Sequence, residues 1–313
     1  MNAANFAMVF PGQGSQSVGM LGKLAEQHRG VAETFAEASD VLGYDLWGLV
    51  SNGPAETLNQ TARTQPAMLA AGVAVWRQWR EQGGAIPRLM AGHSLGEYSA
   101  LVCAGAIGFT DAVALVAERG RFMQEAVPEG SGAMAAILGL EDDKVREVCA
   151  EAARGEVIEA VNFNAPGQVV IAGAKTAVER GCELAKSAGA KRALPLPVSV
   201  PSHCALMKPA AERLAERLSG IAIQTPTVPV LHNVTVEAAA DPATIRERLA
   251  AQLYSPVRWV ETVRAMAAAG AGLLLEAGPG KVLAGLAKRI DRNLGSLVVY
   301  DPETLAAALE GTK

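Results

Sequence analysis

The stretch that most constrains the fold is residues 90–97, which contain the pattern Gly-x-Ser-x-Gly centred on Ser94. An apolar run precedes this pattern, and a helix-forming run at 98–104 follows it. In that context the pattern is typical of a nucleophile elbow, where a strand turns sharply into a helix and the serine points out of the top of a sheet. Glycine on either side of the serine suits the tight backbone. The sequence therefore predicts an α/β fold with Ser94 as a nucleophile, and the N–H of Leu95 at a helix N-terminus can stabilise developing negative charge.

The composition is that of a compact globular protein, because 50% of the 313 residues are hydrophobic and only 19% are charged. A formal net charge of -4 and the lack of a basic stripe argue against a nucleic-acid partner. No apolar run is long enough to cross a bilayer, and the first residues carry no basic segment of a signal peptide. We therefore expect a cytoplasmic protein with no membrane partner.

The cysteines and histidines give no sign of a disulfide framework or of a metal site. None of the four cysteines forms a Cys-x-x-Cys pair, and none of the four histidines has ligand spacing to another histidine or cysteine. We expect free thiols in a reducing compartment and neither a metal nor a cofactor.

The first predicted strand, at 6–10, leads into a loop at 11–16 that contains two glycines and two glutamines. Ligands of α/β proteins bind at the carboxyl ends of strands, so this loop is a candidate part of a site. It is not a phosphate loop, because the Gly-Lys-Ser/Thr ending is absent.

The middle of the chain predicts a small inserted domain with the order β-α-β-β-α-β, which is the ferredoxin-like arrangement. We assign this insert to 128–198 and the larger catalytic domain to 1–127 and 199–313. Within the insert we predict strands at 132–139, 157–163, 168–173 and 191–198, helices at 141–153 and 176–188, and a turn at 164–167. In the larger domain we predict helices at 21–28, 31–42, 66–82, 111–126, 205–218, 243–253 and 259–269, and strands at 86–91, 228–231 and 273–276.

A serine nucleophile needs a base, and the residues leave two candidates. His203 lies on a proline-containing loop and His232 ends a predicted strand, so that either could reach the site. The side chain of His93 should diverge from that of Ser94, and His28 sits on a polar helix face. No acidic residue can be identified as the third member of a triad.

Four motifs together resemble the malonyl-CoA:acyl carrier protein transacylase family of bacterial type II fatty acid synthesis. They are Phe-Pro-Gly-Gln-Gly-Ser-Gln at 10–16, Gly-His-Ser-Leu-Gly-Glu-Tyr at 92–98, Val-Pro-Ser-His at 200–203 and Glu-Ala-Gly-Pro-Gly-Lys at 276–281. The resemblance covers nearly the whole chain. It implies an α/β-hydrolase-like core with a ferredoxin-like insert.

The resemblance also implies the catalytic roles. Ser94 would be the acylated nucleophile and His203 its general base. The family orients its histidine by a backbone carbonyl, here that of Gln252, which explains why no triad acid is found. The backbone N–H groups of Gln13 and Leu95 would form the oxyanion hole.

Arg119 matches the family's malonate-binding arginine, and a guanidinium suits a free carboxylate in a partly dry cleft. His93, Asn162 and Gln252 join it as candidate substrate-binding residues. We interpret Arg121 as part of a surface salt bridge.

The implied partners are malonyl-CoA and holo-acyl carrier protein. The carrier is strongly acidic in such systems, so that basic residues near the cleft would attract it. The candidates are Lys191, Arg192, Lys281, Lys288 and Arg289.

Three other interpretations stay open. One is a serine hydrolase, such as a thioesterase or a lipase-like enzyme, in which water removes the acyl group. Another is a transacylase of a different pathway, either polyketide synthesis or malonate decarboxylation. The third is an inactive carrier-binding scaffold, which the joint presence of Ser94, His203, Gln13 and Arg119 disfavours.

Overall fold

The structure is a computed structural model that describes residues 5–198 and 200–312. The strands are β1 Phe6–Phe10, β2 Leu89–Gly92, β3 Gly132–Leu138, β4 Ile158–Ala165, β5 Gln168–Ala174, β6 Arg192–Pro195, β7 Val230–Leu231, β8 Leu273–Ala277 and β9 Gly295–Val299. The α-helices are α1 Gly22–Gln27, α2 Arg29–Leu42, α3 Leu46–Asn52, α4 Ala55–Leu58, α5 Thr61–Glu81, α6 Gly96–Cys103, α7 Phe109–Glu125, α8 Asp142–Ala153, α9 Lys175–Ser187, α10 Lys208–Ser219, α11 Pro242–Ala251, α12 Trp259–Ala268, α13 Val282–Ile290 and α14 Pro302–Gly311. Short 3-10 helices lie at Ala205–Met207 and Gln252–Tyr254.

The core is a five-stranded parallel sheet with the order β7-β2-β1-β8-β9. All five residues of β1 are buried, as expected for a central strand with helices on both faces. The carboxyl ends of β1, β2 and β7 therefore lie side by side at one edge of the sheet. Ligands of open parallel sheets bind at this edge.

The second sheet is antiparallel, with the order β4-β5-β3-β6, and helices α8 and α9 pack on one of its faces. This is the ferredoxin-like arrangement, so that the predicted fold class is confirmed. The proposed domain boundaries stay predictions, and the second of them falls beside Ser199, which lies outside the described residues.

Three predicted strands are too long, and one of them, expected over 228–231, is only Val230–Leu231. The strand before Ser94 was expected over 86–91 but is Leu89–Gly92, because its register with β1 starts only at Leu89, opposite Ala7, and Ile86 is 54% exposed. The last strand of the insert, expected over 191–198, is limited to Arg192–Pro195, the part that pairs with β3.

Two other boundaries are wrong for local reasons. The expected turn at 164–167 is shorter, because β4 continues to Ala165, which pairs with Gln168. The helix expected to begin at Pro66 begins at Thr61 instead. Proline favours the first turn of a helix, but Pro66 lies on the inner side of α5 and does not mark its start.

The described cysteines are all free thiols, as predicted. Among the helices of residues 5–198 and 200–312, none is both long and apolar enough to cross a membrane.

Candidate active site

Ser94 lies in a strained turn between β2 and α6, with a φ of 50°. A Cβ on Gly92 would come within 1.8 Å of the carbonyl carbon of Gly96, and one on Gly96 within 2.0 Å of the carbonyl oxygen of Phe10. Only glycine fits at either position, and this is the elbow geometry that the sequence pattern predicts.

His203 contacts the Ser94 hydroxyl directly. Its Nε2 lies 2.8 Å from Ser94 Oγ, and its Nδ1 lies 2.8 Å from the backbone oxygen of Gln252. When Nδ1–H donates to that carbonyl, Nε2 is left unprotonated and can accept the serine proton. The arrangement is therefore the one that a serine nucleophile, a histidine base and a neutral group orienting that base require.

His232, the other candidate base, does not reach Ser94. It is fully buried, and its Nδ1 lies 2.7 Å from Oε1 of Glu97. The geometry thus favours His203 over His232 as the candidate base.

Leu95 and Gln13 line the site from two loops. Leu95 directly precedes α6, where the helix dipole is positive, and within the described residues neither N–H donates to a protein acceptor. Gly12 lets the first loop approach the elbow, since a Cβ there would lie 2.4 Å from the backbone oxygen of His93. This pair of donors fits an oxyanion hole.

Arg119 is buried on the inner face of α7, with only 1% of its surface exposed. Its Nη1 donates to Oε1 of Gln65 at 2.8 Å, and its Nη2 donates to Oε1 of Gln252 at 3.0 Å. Nη2 also lies 3.4 Å from Ser94 Oγ, while Nε has no partner in the described residues. A guanidinium with spare N–H groups beside the nucleophile can bind a carboxylate.

A small cavity of about 120 Å³ brings the predicted site residues together. All of them except Gln252 line it, namely Gln13, His93, Ser94, Leu95, Arg119, Asn162 and His203. Gln252 is fully buried and contacts Arg119 and His203 from behind the cavity. It was predicted to bind substrate but does not line the cavity wall. A cavity of this size suits a short acyl group.

His93 and Asn162 stay proposals as substrate-binding residues. Nε2 of His93 lies 2.8 Å from Oδ1 of Asn164, and its ring centroid lies 5.6 Å from that of Trp259, which turns the side chain away from Ser94 as expected. Burial lowers the pKa of His93. The buried Oδ1 of Asn162 has no partner within the described residues.

Known proteins match this chain over nearly its full length. A family model described as the acyl transferase domain matches residues 7–294. The malonyl CoA-acyl carrier protein transacylase of Salmonella typhimurium is 62% identical over 304 residues, which are 97% of this chain and 98% of that protein. The chain belongs to the malonyl-CoA:acyl carrier protein transacylase family.

Solved structures of this family agree with the fold. The acyl carrier protein S-malonyltransferase of Vibrio cholerae has a TM-score of 0.95 and 62% identity over 97% of this chain and 99% of that chain. A malonyl-transacylase in complex with its type II polyketide synthase acyl-carrier protein has a TM-score of 0.97 and 60% identity over 98% of this chain and 99% of that chain.

Sequence reasoning missed four polar residues that support the site in this member of the family. Gln65 holds Arg119 from α5, and Asn164 holds His93 from β4. Glu97 and Asn233 lie behind the elbow, where Oδ1 of Asn233 accepts the Ser94 N–H at 2.7 Å. Their signals were weak: Gln65 is a polar residue on an apolar helix face, and Glu97 lies in the 92–98 motif beside residues that were each given a role.

The basic candidates for binding the acidic carrier of this family are all exposed: Lys191, Arg192, Lys281, Lys288 and Arg289. Arg289 donates to Oε1 of Gln168 and so connects α13 to the second sheet. Arg121 is exposed too, but the expected salt bridge is not found in the described residues. Its guanidinium lies 5.4 Å from the ring centroid of Phe122 instead.

The base of this transacylase site should stay neutral well below physiological pH. Burial, reinforced by the charge of Arg119, lowers the pKa of His203 to about 3. A histidine that acts as a general base is active as neutral imidazole, so we expect kcat/KM to show no loss from this group as pH falls from about 8 to about 5. An acidic limb near pH 6.5, the ordinary value for histidine, would contradict this expectation.

The same shift has a consequence for stability. In the unfolded state His203 takes up a proton near pH 6.5, but in the folded state it does so only near its lowered pKa of about 3. The contribution of neutral His203 to the free energy of unfolding is therefore present above pH 6.5 and is lost as pH falls toward about 3.

Proposed function

We propose that this chain transfers the malonyl group of malonyl-CoA to the phosphopantetheine thiol of acyl carrier protein through a malonyl-serine intermediate. One observation carries the proposal: a serine–histidine pair at 2.8 Å shares a short cavity with a buried arginine whose Nη2 lies 3.4 Å from the serine oxygen. Membership of the family supports the same activity.

The acylation step uses the groups around Ser94. His203 Nε2 takes the serine proton as Oγ attacks the thioester carbon, and the N–H groups of Gln13 and Leu95 stabilise the resulting oxyanion. The carbon–sulfur bond then breaks, and His203 returns the proton to the departing thiolate of CoA. Malonyl stays on Ser94 as an ester.

The second step runs the same chemistry in reverse order. The carrier thiol gives its proton to His203 and attacks the ester carbonyl, and the same oxyanion forms. When the bond to Ser94 Oγ breaks, His203 protonates the serine. No cofactor takes part, because each step exchanges only an acyl group and a proton.

Arg119 supports malonyl as the acyl group. The free carboxylate of malonyl would meet a guanidinium that has unused N–H groups and is shielded from water, where a charge-assisted hydrogen bond contributes about 1.5–3 kcal/mol. Acetyl has no carboxylate and would gain nothing from this contact.

We infer a cytoplasmic role in supplying fatty acid elongation. The relatives named malonyl CoA-acyl carrier protein transacylase support the fatty acid context. The polyketide carrier in the complex structure belongs to that other protein, and carriers of both kinds should be compared as acceptors.

The test is the mass of the intact protein after brief mixing with malonyl-CoA, and again after addition of holo-acyl carrier protein. We expect a malonyl adduct that survives in buffer and moves to the carrier. An adduct lost to water without the carrier would indicate a thioesterase, and no adduct would contradict the choice of Ser94.

A further inference from the structure

Glu97 is a fully buried carboxylate three residues after Ser94, in the first turn of α6. Its Oε2 accepts the backbone N–H of Asn233 and the Nε2–H of Gln252, both at 2.8 Å, and its Oε1 lies 2.7 Å from Nδ1 of His232. Buried carboxylates are costly unless they are fully paired, and the steps described above make no use of this one.

The side-chain amide of Gln252 bridges Glu97 to Arg119. Its Nε2 donates to Glu97, and its Oε1 accepts from Nη2 of Arg119. A carboxylate only accepts and a guanidinium only donates, so that a flipped amide would oppose both neighbours. Nε2 also donates to the backbone oxygen of Ser94 at 3.0 Å, so that Glu97, Arg119 and this carbonyl together fix which way the amide points.

The Gln252 bridge also places the negative charge of Glu97 near Arg119 without direct contact between the carboxylate and the guanidinium. Among the described residues no carboxylate lies within ion-pair distance of Arg119. The Glu97 carboxylate is its counter-charge, and the side-chain amide of Gln252 lies between the two groups. A carboxylate in direct contact would occupy the guanidinium N–H groups that the substrate needs. With none nearby, the buried charge would be poorly compensated.

We propose that Glu97 is a positioning residue that, through the side chain of Gln252, holds Arg119 charged and aimed at the substrate carboxylate. This inference rests on the proposed function, because it assigns the preference for malonyl over acetyl to a residue that touches neither. Asn233 also connects Glu97 to the Ser94 N–H, but that connection serves the nucleophile and acts on both acyl groups alike.

The decisive variant is Glu97→Gln, which keeps the shape of the side chain and removes its charge. Its amide can still accept from Gln252, and His232 can adapt by changing tautomer because its Nε2 has no partner in the described residues. We expect the ratio of kcat/KM for malonyl-CoA to that for acetyl-CoA to fall about tenfold, mainly through malonyl. Equal losses with both substrates, or no change, would overturn the proposal.

A matched control is Glu276→Gln. Glu276 is equally buried at the end of β8, but its Oε2 accepts from the backbone N–H of Ala284 at the start of α13, away from the site. We expect the malonyl-to-acetyl ratio to stay at the wild-type value. A fall as large as that of Glu97→Gln would mean that any lost buried charge has this effect.

A double variant tests whether Gln252 is the intermediary. Gln252→Leu removes the amide and keeps the backbone carbonyl that orients His203. In that background we expect Glu97→Gln to change the ratio no further, since effects that share one path are not additive. Additive losses would contradict the path through Gln252.

If Glu97→Gln fails to fold, Gln252→Leu alone tests the same argument. It removes the amide that joins Glu97 to Arg119, so that we expect malonyl transfer to fall more than acetyl transfer, and an unchanged ratio would overturn the proposal. Failure of the proposed function is separate, because it would appear in the wild-type protein as an absence of malonyl transfer.

Discussion

Replacement of Ser94 by alanine is expected to abolish the malonyl adduct and to lower transfer to the carrier on the order of 10⁶-fold, as removal of a serine nucleophile does elsewhere. The hydroxyl is the only atom lost, and it contacts His203 and Arg119. Intact mass after mixing with malonyl-CoA measures the adduct, and transfer kinetics measure the rate.

Ser99→Ala is the matched control for this experiment. Ser99 is buried in α6, the helix that follows Ser94, and does not line the cavity. We expect this variant to be acylated like the wild type, and Ser94→Ala to keep its fold, since the lost hydrogen bonds contribute only about 1 kcal/mol each. Malonyl labelling that persists in folded Ser94→Ala would show that another residue is the nucleophile.

The fold was largely predictable because local signals agreed with the global arrangement. The elbow at Ser94 requires a strand and a helix joined by glycines, and the insert shows six elements in the order of one known motif. The errors lie at strand ends that depend on pairing: β2 begins only at Leu89, where its register with β1 starts opposite Ala7. Such limits depend on a neighbouring strand that is distant in the sequence.

The site was predictable only in part, because its groups converge from distant segments. The residues alone identify Ser94 and Leu95, but they leave both His203 and His232 as candidates for the base. The resemblance supplied Gln13, Arg119 and Gln252, and the geometry then placed them around the serine, with Gln252 behind the cavity rather than in its wall.

The supporting residues could not be recognised from their own surroundings in the sequence. Gln65 lies 54 residues from Arg119, and Glu97 lies 155 residues from Gln252. In a sequence, each is a polar residue within a helical run. Only the packing of α5, α6 and α7 around the elbow shows what these side chains hold.

Replacement of Arg119 by methionine should remove the preference of the enzyme for malonyl-CoA over acetyl-CoA. Methionine is unbranched and fills a similar space, so that the variant mainly removes the charge and the hydrogen bonds. We expect kcat/KM for malonyl-CoA to fall roughly ten- to hundred-fold, the equivalent of a charge-assisted bond of about 1.5–3 kcal/mol, while acetyl-CoA is little affected. Steady-state kinetics with both substrates, together with thermal denaturation to confirm folding, measure this.

Arg121→Met is the control, because Arg121 lies two residues further along α7 and is exposed. Arg121→Met should leave kcat/KM for both substrates unchanged. If Arg119→Met also left the malonyl kinetics unchanged, Arg119 would have only a structural role. The pH profile adds an independent readout: the charge of Arg119 helps to lower the pKa of His203, so its removal should move any acidic limb to higher pH. In the Arg119→Met background, Glu97→Gln should no longer alter the malonyl-to-acetyl ratio, because the charge that Glu97 holds in place is gone.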